Sequence, residues 1–534
     1  MTTPRNGKLI VLTASAAEMA YYGYDAFKAF SCTFPHRLVN RYLKKHMKPV
    51  LNADGSSKFA PYGLRKVEAM LAEEFGNENV VIAHPENIED FVGPDTKMIG
   101  INSMDPMGLA YVSTTYNSLI GFGGESVDAH QFKKMIGKIN AIKQNAKIVL
   151  GGAGGWQVRD TGNQEKLGID HIVAGETDDS LIPLVKNIID WKEKSDYIKM
   201  RRPDYDKITT IQKPATYGSI EITRGCGRGC AFCSPTMRTK HSFPIPHIME
   251  EVKTNIDGGN NMVFIITEDV FLYDSHPGFK PNRQSIVNLF KSIAGYPGVD
   301  TINLSHASFA PVLHDKKILP ELTPVLIEKT QRKLRGKKYI PVEIGIESGS
   351  ARLMKQLMAG KSLPFPIENW QEVVKQGVAH LNDNSWYPLC TIMTGIPGET
   401  EQDTIKTLEL IDDLAAQNSK MFYTPVLFIP LEEALLSKEN KIDLDHLTDL
   451  QWEVIINSWK NNIKVWRARR RFDMLPYKAA AFMLYWTYMR WKHGKNATRP
   501  MMKFVGLPEW MVSRKVGKKC DAGYCKDDFQ KSVR

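Results

Sequence analysis

Three cysteines lie within eight residues of one another, in the run ITRGCGRGCAFCSP. Cys226, Cys230 and Cys233 have the spacing C-x3-C-x2-C. Three thiolates at this spacing can hold three irons of a [4Fe–4S] cube and leave the fourth iron without a protein ligand. A zinc knuckle would require a fourth ligand and is usually built from closely spaced cysteine pairs, and no second pair lies nearby. The spacing therefore predicts a cluster with one open iron, as the reductive cleavage of S-adenosylmethionine (SAM) requires.

The other four of the 7 cysteines do not suggest a disulfide framework. We therefore expect the protein to reside in the reducing interior of the cell, with Cys32 and Cys390 as ordinary buried thiols. Cys520 and Cys525 are either free thiols or ligands of a second site. The N-terminal apolar run is too short for a signal peptide, and no stretch reaches the roughly 20 apolar residues that span a bilayer. These features predict a cytoplasmic location.

Positive charge is concentrated at the C-terminal end. The stretch 460–534 holds 19 Lys/Arg and 5 Asp/Glu, whereas the whole chain of 534 residues has a net charge of +11. A basic region attached to a nearly neutral body indicates an anionic partner, either a membrane surface or a nucleic acid. The alternative is a solvated surface without a partner.

Residues 1–200 alternate short apolar runs with polar helical stretches. This pattern predicts a doubly wound, parallel α/β domain of the Rossmann-like type. Its ligand would lie outside the carboxyl ends of the strands, where the chain carries small and polar residues. The site residues that we predict there are Ser103, Gly151, Gly152, Gly175 and Glu176. The spacing alone allows a nucleotide, a flavin or cobalamin.

A second βα series follows a charged linker at 201–215. About six βα units between residues 201 and 435 predict a partial (β/α)6 barrel, with the cysteine motif in the loop after its first strand. From residue 436 to 534 the pattern is helical and basic. The segment Lys478–Lys492 is apolar and aromatic with basic ends, and it is either an interfacial membrane helix or a core helix under the barrel.

These motifs resemble those of the radical SAM superfamily, and specifically its members with an N-terminal cobalamin-binding domain. The resemblance covers about residues 95–430. In EIGIESGS it implies that Glu347 approaches the SAM ribose and amino group, and in TGIPGET that Gly395 and Pro397 lie near the adenine. In IITEDV it implies that Glu268 and Asp269 contact the SAM amino group, although the usual glycine pair is missing.

Two further segments carry the resemblance into the first domain. KIVLGGAGG and GIDHIVAGETDDSL look like the last two strands of the family's cobalamin domain. The D-x-H-x-x-G motif that supplies a histidine to cobalt is absent, and we expect His130 on a helix face. If cobalamin binds, we expect no protein histidine on cobalt. His306, after the third barrel strand, is predicted to position SAM or substrate at the barrel mouth.

The resemblance implies a radical reaction. The cluster, reduced by flavodoxin or ferredoxin, would cleave SAM to a 5′-deoxyadenosyl radical that abstracts hydrogen from an unactivated carbon. The first hypothesis is C–C bond or ring formation on a membrane lipid, as in archaeal tetraether lipid ring synthases, by a protein peripheral on the inner membrane face. The alternative is a cobalamin-dependent C-methyltransferase acting on a natural product, peptide or protein side chain.

Two other functions are disfavoured. Methylthiolation of tRNA would require N-terminal cysteines for a second cluster, and a nucleic acid partner is not expected. An iron–sulfur electron carrier or regulator would not cleave SAM.

Overall fold

A six-stranded parallel sheet forms the first part of the chain. In the computed structural model, which describes residues 6–22, 26–466 and 483–494, the strand order is β2-β1-β3-β4-β5-β6 and every pairing is parallel. The strands are β1 (Ile10–Ala14), β2 (Val80–Ile82), β3 (Met98–Asn102), β4 (Lys147–Gly151), β5 (His171–Ala174) and β6 (Tyr197–Lys199). The predicted doubly wound sheet is confirmed.

Helices cover both faces of this sheet because its central strands are apolar on both sides. One core lies between the sheet and the third and seventh helices, and a second core lies against the fifth. The helices are α1 (Ala26–Phe30), α2 (His36–Leu43), α3 (Tyr62–Phe75), α4 (Tyr111–Ile120), α5 (Val127–Ile142), α6 (Gly155–Asp160) and α7 (Leu181–Ile189). The sequence gives no signal for the edge strand β6, because it lacks an apolar run: Tyr197 and Ile198 are partly buried and Lys199 is exposed.

The second part of the chain is a curved sheet of parallel strands. One three-stranded sheet has the order β11-β10-β7, and a four-stranded sheet has the order β12-β15-β16-β17. Only Ser305 separates β11 from β12, so the two sheets join into six strand positions with an open side between β7 and β17. The strands are β7 (Ser219–Glu221), β8 (Thr223–Arg224), β9 (His241–Ser242), β10 (Met262–Ile266), β11 (Thr301–Leu304), β12 (His306–Ala307), β13 (Lys333–Leu334), β14 (Lys337–Lys338), β15 (Ile340–Glu347), β16 (Trp386–Thr394) and β17 (Phe422–Leu427).

Helices surround the outside of this partial barrel and bury one large core. They are α8 (Ile245–Asp257), α9 (Arg283–Gly295), α10 (Phe309–His314), α11 (Ile318–Ile327), α12 (Ala351–Leu357), α13 (Trp370–Asp383), α14 (Glu401–Ala416) and α15 (Asp449–Trp466). A last helix covers residues 483–494. Within the described residues, we find no helix that combines the length and the apolar character needed to cross a bilayer.

The two parts are held together by buried charges. Lys66 on α3 donates to Glu251 on α8 at 2.5 Å, and it also donates to the Thr209 carbonyl within the predicted linker. Tyr62 donates to the same carboxylate at 2.9 Å. Because Glu251 is fully buried, these contacts fix how the first domain sits on the barrel. The domain limits near residues 200 and 435 remain predictions.

Candidate functional site

The cysteine loop extends between two short strands at the mouth of the barrel. β8 and β9 pair antiparallel and close the base of the loop. Three glycines at 225, 227 and 229 have φ values of +73°, +73° and +77°, a conformation that other residues rarely adopt. They bend the chain so that Cys226, Cys230 and Cys233 project from one compact turn.

The thiols suit a cluster better than a single ion. Among the described residues, no three His, Cys, Asp or Glu side chains converge on one metal position, whereas a cube binds each thiolate on a different iron. Burial raises the pKa of Cys226 to about 11 and that of Cys233 to about 12. The thiols are therefore protonated until a metal centre stabilises the thiolates. The three residues fit the predicted [4Fe–4S] cluster.

Arg228, within the cysteine motif, anchors the loop to the barrel. This buried guanidinium donates to the Asp269 carboxylate at 2.9 Å and to the Ser308 hydroxyl at 2.8 Å. Asp269 also accepts the backbone N–H of Phe271. The Asp269 carboxylate, which was predicted to contact SAM, is thus paired with Arg228 instead. Arg228 was not identified from the sequence, although it is the only charged residue between the first and last cysteine.

Glu268 and His306 lie on the inner side of the barrel. Burial raises the pKa of Glu268, and the nearby His306 lowers it. His306 Nε2 lies 3.3 Å from Glu343 Oε2, and both side chains are half-exposed. On β15, alternation places Val342, Ile344 and Ile346 in the core and Glu343 on the opposite, inner face. The structure therefore brings Glu268 and His306 to the same lumen.

Glu347 ends β15 in a buried ion pair. Lys361 Nζ lies 2.6 Å from Glu347 Oε1, and Thr391 on β16 donates to Oε2 at 3.0 Å. Glu347 has a φ of +62°, which turns its side chain back over Gly345. A Cβ at position 345 would lie 2.0 Å from the carboxylate and 2.5 Å from the ammonium. A side chain at position 345 would therefore displace the pair from its present position. Neither Lys361 nor Thr391 was identified from the sequence.

The ion pair is close to the cysteine loop. Burial alone would lower the pKa of Lys361, but Glu347 and Cys230 raise it above its ordinary value. The Lys361 ammonium lies 5.9 Å from the centre of the Phe232 ring. A positive charge and a carboxylate thus stand beside the predicted cluster, as the amino and carboxylate groups of an amino acid ligand would need.

The predicted Gly-Pro turn follows β16. Gly395 has a φ of +75° and donates its N–H to Glu399 at 2.7 Å. Pro397 is partly exposed in this turn. Thr400 and Asp403 then cap α14 reciprocally. The turn is at the carboxyl edge of the barrel sheet, the same edge as Glu347.

A cavity of about 630 Å³ opens at the carboxyl edge of the first sheet. Gly151, Gly152, Gly175 and Glu176 line it as predicted, together with Trp156. Ser103 does not line it: its side chain is buried and donates to Glu18 at 3.2 Å, while its neighbours Asn102 and Met104 face the cavity. No histidine is among the lining residues, and His130 lies on α5, stacked on His36 at 4.1 Å.

The cavity continues as an apolar slot between the sheet and two helices. Residues of β1, β3, β4 and β5 form one wall, and residues of α3 and α7 form the other. The slot residues are Leu12, Leu64, Val67, Met70, Met98, Gly100, Val149, Val173, Leu181, Leu184, Val185 and Ile188. A slot of this depth suits a ligand with a flat or elongated apolar group. A cobalamin with its nucleotide base displaced fits this description.

The mouth of the cavity is at the barrel. Arg224, two residues before Cys226, lines it and forms a bidentate pair with Glu221 at 2.9 and 2.6 Å. Ile266, at the end of β10, lines it from the barrel side. Tyr111 on α4 also lines the cavity, and its hydroxyl donates to the Phe232 carbonyl at 3.0 Å. The cavity, the cysteine loop and the barrel lumen therefore adjoin one another.

The last helix packs one side onto α4. Met489 is fully buried there, whereas Leu484 and Trp491 are exposed. Of the segment Lys478–Lys492, the described part therefore packs one side in the core and exposes the other, and the interfacial membrane helix stays a prediction. Residues 478–482, Cys520 and Cys525 lie outside the described residues.

Comparison with known proteins agrees with this geometry. Residues 220–411 match the radical SAM superfamily. The fold is similar to that of TsrM from Kitasatospora setae, described as a radical S-adenosylmethionine methyltransferase. The structure of TsrM with cobalamin and a [4Fe-4S] cluster bound matches this chain with a TM-score of 0.52 and 12% sequence identity. The match covers 80% of this chain and 74% of that chain.

Curated relatives match part of the sequence. The tRNA-2-methylthio-N(6)-dimethylallyladenosine synthase of Desulfosudis oleivorans is 24% identical over 287 residues, 52% of this chain and 56% of that protein. The ribosomal protein uS12 methylthiotransferase RimO of Nitrosomonas europaea is 24% identical over 303 residues, 54% of this chain and 60% of that protein. The chain thus spans somewhat more than half the length of these relatives.

Proposed function

Since this chain is a radical SAM enzyme, with its radical SAM domain over residues 220–411, we propose that it functionalises an unactivated sp3 carbon of a membrane lipid, by forming a C–C bond or ring. The observation that carries the radical chemistry is the buried Glu347–Lys361 pair beside the cysteine loop. The lipid substrate is supported by the position of α4, described below.

We assign the SAM contacts to residues of the barrel lumen. Cys226, Cys230 and Cys233 would hold a [4Fe–4S] cluster, which would supply the electron for SAM cleavage. Lys361 presents a cation to the SAM carboxylate, and Glu347 and Glu268 present carboxylates to its amino and ribose groups. Asp269 acts through Arg228, which holds the cysteine loop against the barrel. Gly395 and Pro397 border the adenine. His306 orients SAM or substrate through its pair with Glu343.

Cobalamin is the ligand that we assign to the cavity of the first domain. Its lining combines glycines at the strand ends with an apolar slot and no histidine, which suits a corrin whose lower base is displaced. Bound cobalamin would supply the barrel either with a methyl group for transfer or with a redox centre. Tyr111 joins the cavity wall to the cysteine loop, so this residue fixes the distance between the two cofactor sites.

The lipid is supported by the way α4 borders the open side of the barrel. Thr115 on α4 accepts the backbone N–H of Leu427 on β17 at 2.9 Å, the last strand before the opening. The first residue of the helix reaches the cysteine loop, and its end contacts the exposed apolar helix 483–494. A helix of 10 residues is about 15 Å long. We propose that a long hydrocarbon chain follows this helix from the surface towards the cluster.

The test is product analysis after anaerobic expression in a host that lacks the product. Lipid mass spectrometry is expected to show species with two fewer hydrogens per new bond. A variant with Cys226→Ala, Cys230→Ala and Cys233→Ala is the matched inactive control. Lipids that are identical in the wild type and in this variant would refute the lipid substrate.

A cobalamin-dependent C-methyltransferase is the second candidate. The observation that favours it is the opening of the cavity towards the cysteine loop, which suits direct delivery of a methyl group. In that case the product would gain the mass of a methylene on a natural product, peptide or protein side chain. The same mass spectra separate it from ring formation.

Methylthiolation, the activity named for the matched relatives, receives less support from the residues. Before Cys226 the chain contains one cysteine, Cys32, which is buried and paired with the Tyr22 hydroxyl at 2.9 Å. Residues 1–225 therefore offer no set of three cysteines for a second cluster. For the electron donor we propose reduced flavodoxin or ferredoxin, and for the location the inner face of the membrane.

A further inference from the structure

The helix over residues 483–494 has an exposed apolar side that its own packing does not explain. Leu484 and Trp491 are 73% and 79% exposed. Another side of the helix is anchored, because Met489 is fully buried and Tyr485 donates to the Leu119 carbonyl at 2.8 Å. A large apolar surface held in this fixed position indicates a contact with something outside the chain.

This apolar surface continues onto the first domain. The Phe122 ring, 52% exposed, lies 5.7 Å from the Tyr488 ring, and Tyr488 lies 6.3 Å from Trp491. On the other side of Phe122, the Arg37 N–H donates to the Gly123 carbonyl at 3.0 Å and so joins α2 to the loop. Leu38 on α2 is 46% exposed. Three segments that are distant in sequence thus form one surface.

Cations border this surface without acidic partners. The exposed charged side chains of α2 and of the turn after it are all basic, and in the described part of the chain none of them forms an ion pair with a carboxylate. They are Arg37, Arg41, Lys44, Lys45 and Lys48. Lys45 lies 5.1 Å from the ring centre of Tyr42, which is 54% exposed. Lys492 adds a further cation on the last helix.

We propose that α2, the loop over residues 121–124 and the helix 483–494 form a docking surface for an anionic lipid bilayer. Tryptophan and tyrosine favour the level of the headgroups, and leucine and phenylalanine enter the acyl boundary. Each cation near an anionic surface strengthens binding about fivefold. A nucleic acid would also attract the cations, but its phosphates offer nothing to Leu38, Leu484 or Phe122.

The docking surface rests on the proposed function for its purpose, because a bound membrane would deliver the lipid at the end of α4 that is opposite the cysteine loop. Binding itself is measured without turnover. The full-length protein is mixed with vesicles of phosphatidylcholine containing roughly one third phosphatidylglycerol, and with pure phosphatidylcholine vesicles, and the bound fraction is measured by sedimentation.

The charge test is the triple variant Arg37→Glu, Arg41→Glu and Lys44→Glu. We expect its partitioning onto the anionic vesicles to fall by at least about tenfold. The matched control is Lys291→Glu, Lys316→Glu and Lys317→Glu, three exposed lysines on or next to the outer barrel helices, which is expected to bind as the wild type does. An equal loss in both variants would show a general charge effect and overturn the proposal.

The apolar test is the pair Leu484→Ser and Trp491→Ala. We expect at least about tenfold weaker binding that persists when salt screens the cations. Leu435→Ser with Trp191→Ala, residues that are 66% and 45% exposed elsewhere, is the control. All the substituted side chains are exposed, so we expect each variant to fold, and circular dichroism of each variant checks this.

The outcomes separate the two proposals. Wild-type protein that does not bind anionic vesicles, or that binds RNA or DNA and no vesicles, overturns the docking surface. Vesicle binding that depends on these residues, together with unchanged lipids in the expression experiment, supports the docking surface and refutes the lipid substrate.

Discussion

Lys361 Nζ lies 2.6 Å from Glu347 Oε1, and the pair packs directly on Gly345. The two side chains are 12% and 8% exposed, so neither charge is well solvated. The pair joins the end of β15 to the turn after α12, and the same turn contacts Arg228 of the cysteine loop. One ion pair therefore connects the barrel edge to the predicted cluster site.

Breaking this pair is expected to be costly. Lys361→Met leaves the buried Glu347 carboxylate unpaired, and we expect the free energy of unfolding to fall by about 3–5 kcal/mol. The double variant with Glu347→Gln should recover a large part of this loss, because no buried charge remains. Denaturant unfolding of the two single variants and the double variant measures the coupling. Lys375→Met, which breaks a more exposed pair with Asp413 at 3.1 Å, should cost less than about 1 kcal/mol; an equal cost would contradict the interpretation.

The adjacent carboxylates Glu268 and Asp269 are expected to have different roles. Asp269→Asn removes the anion that Arg228 contacts at 2.9 Å, so we expect faster loss of iron during desalting. Glu268→Gln leaves this anchor intact and should keep the iron while weakening SAM binding by about tenfold, the loss expected for one charged hydrogen bond. Iron analysis and calorimetric titration with SAM measure the two effects. A loss of iron in Glu268→Gln alone would reverse the assignment.

Blocking the apolar slot should remove cobalamin. Leu184 on α7 lines the slot, and Leu184→Trp would fill part of it. We expect at least about tenfold weaker cobalamin binding, because a close-packed wall cannot readily move aside. Lys186→Trp, on the exposed side of the same helix, is the matched control. Absorbance titration with cobalamin measures both, and equal affinity in the two variants would exclude the slot.

The pH dependence of stability should include a contribution from Glu18. This side chain accepts the Met104 N–H at 2.7 Å beside the cavity, and burial raises its pKa from 4.5 to about 7. The folded state therefore binds the proton more tightly than the unfolded chain does. This contribution is complete below the unfolded pKa of 4.5 and is lost as the pH rises through 7.

We expect this contribution to be about 1–3 kcal/mol, and Glu18→Gln should flatten the profile by this amount between about pH 5 and about pH 8. Burial also raises the pKa of Asp128 and lowers those of His84 and His247 to about 4, so the difference between the two profiles, and not either profile alone, reports on Glu18. Urea unfolding across this range measures both proteins. Parallel profiles would show that Glu18 does not titrate with folding.

The sequence by itself determined the elements whose residues are contiguous. Met98–Asn102, His171–Ala174 and Thr301–Leu304 are strands, and each is marked in the sequence as a short, mainly apolar run. The predicted cluster motif could also be recognised from the sequence, because its three cysteines lie within eight residues. Glu347 was found because the EIGIESGS motif surrounds it.

Tertiary structure alone decided which of the remaining residues meet. Lys361 lies 14 positions from Glu347 in a segment without a distinctive pattern, and only the left-handed turn at Glu347 brings their charges together. Asp269 and Glu268 are neighbours in the chain, yet one contacts Arg228 and the other faces the lumen, because successive side chains of an extended segment point to opposite sides. The apolar surface near Trp491 is assembled from three distant segments. Periodicity reports which side of one element is apolar, but packing determines which sides remain uncovered.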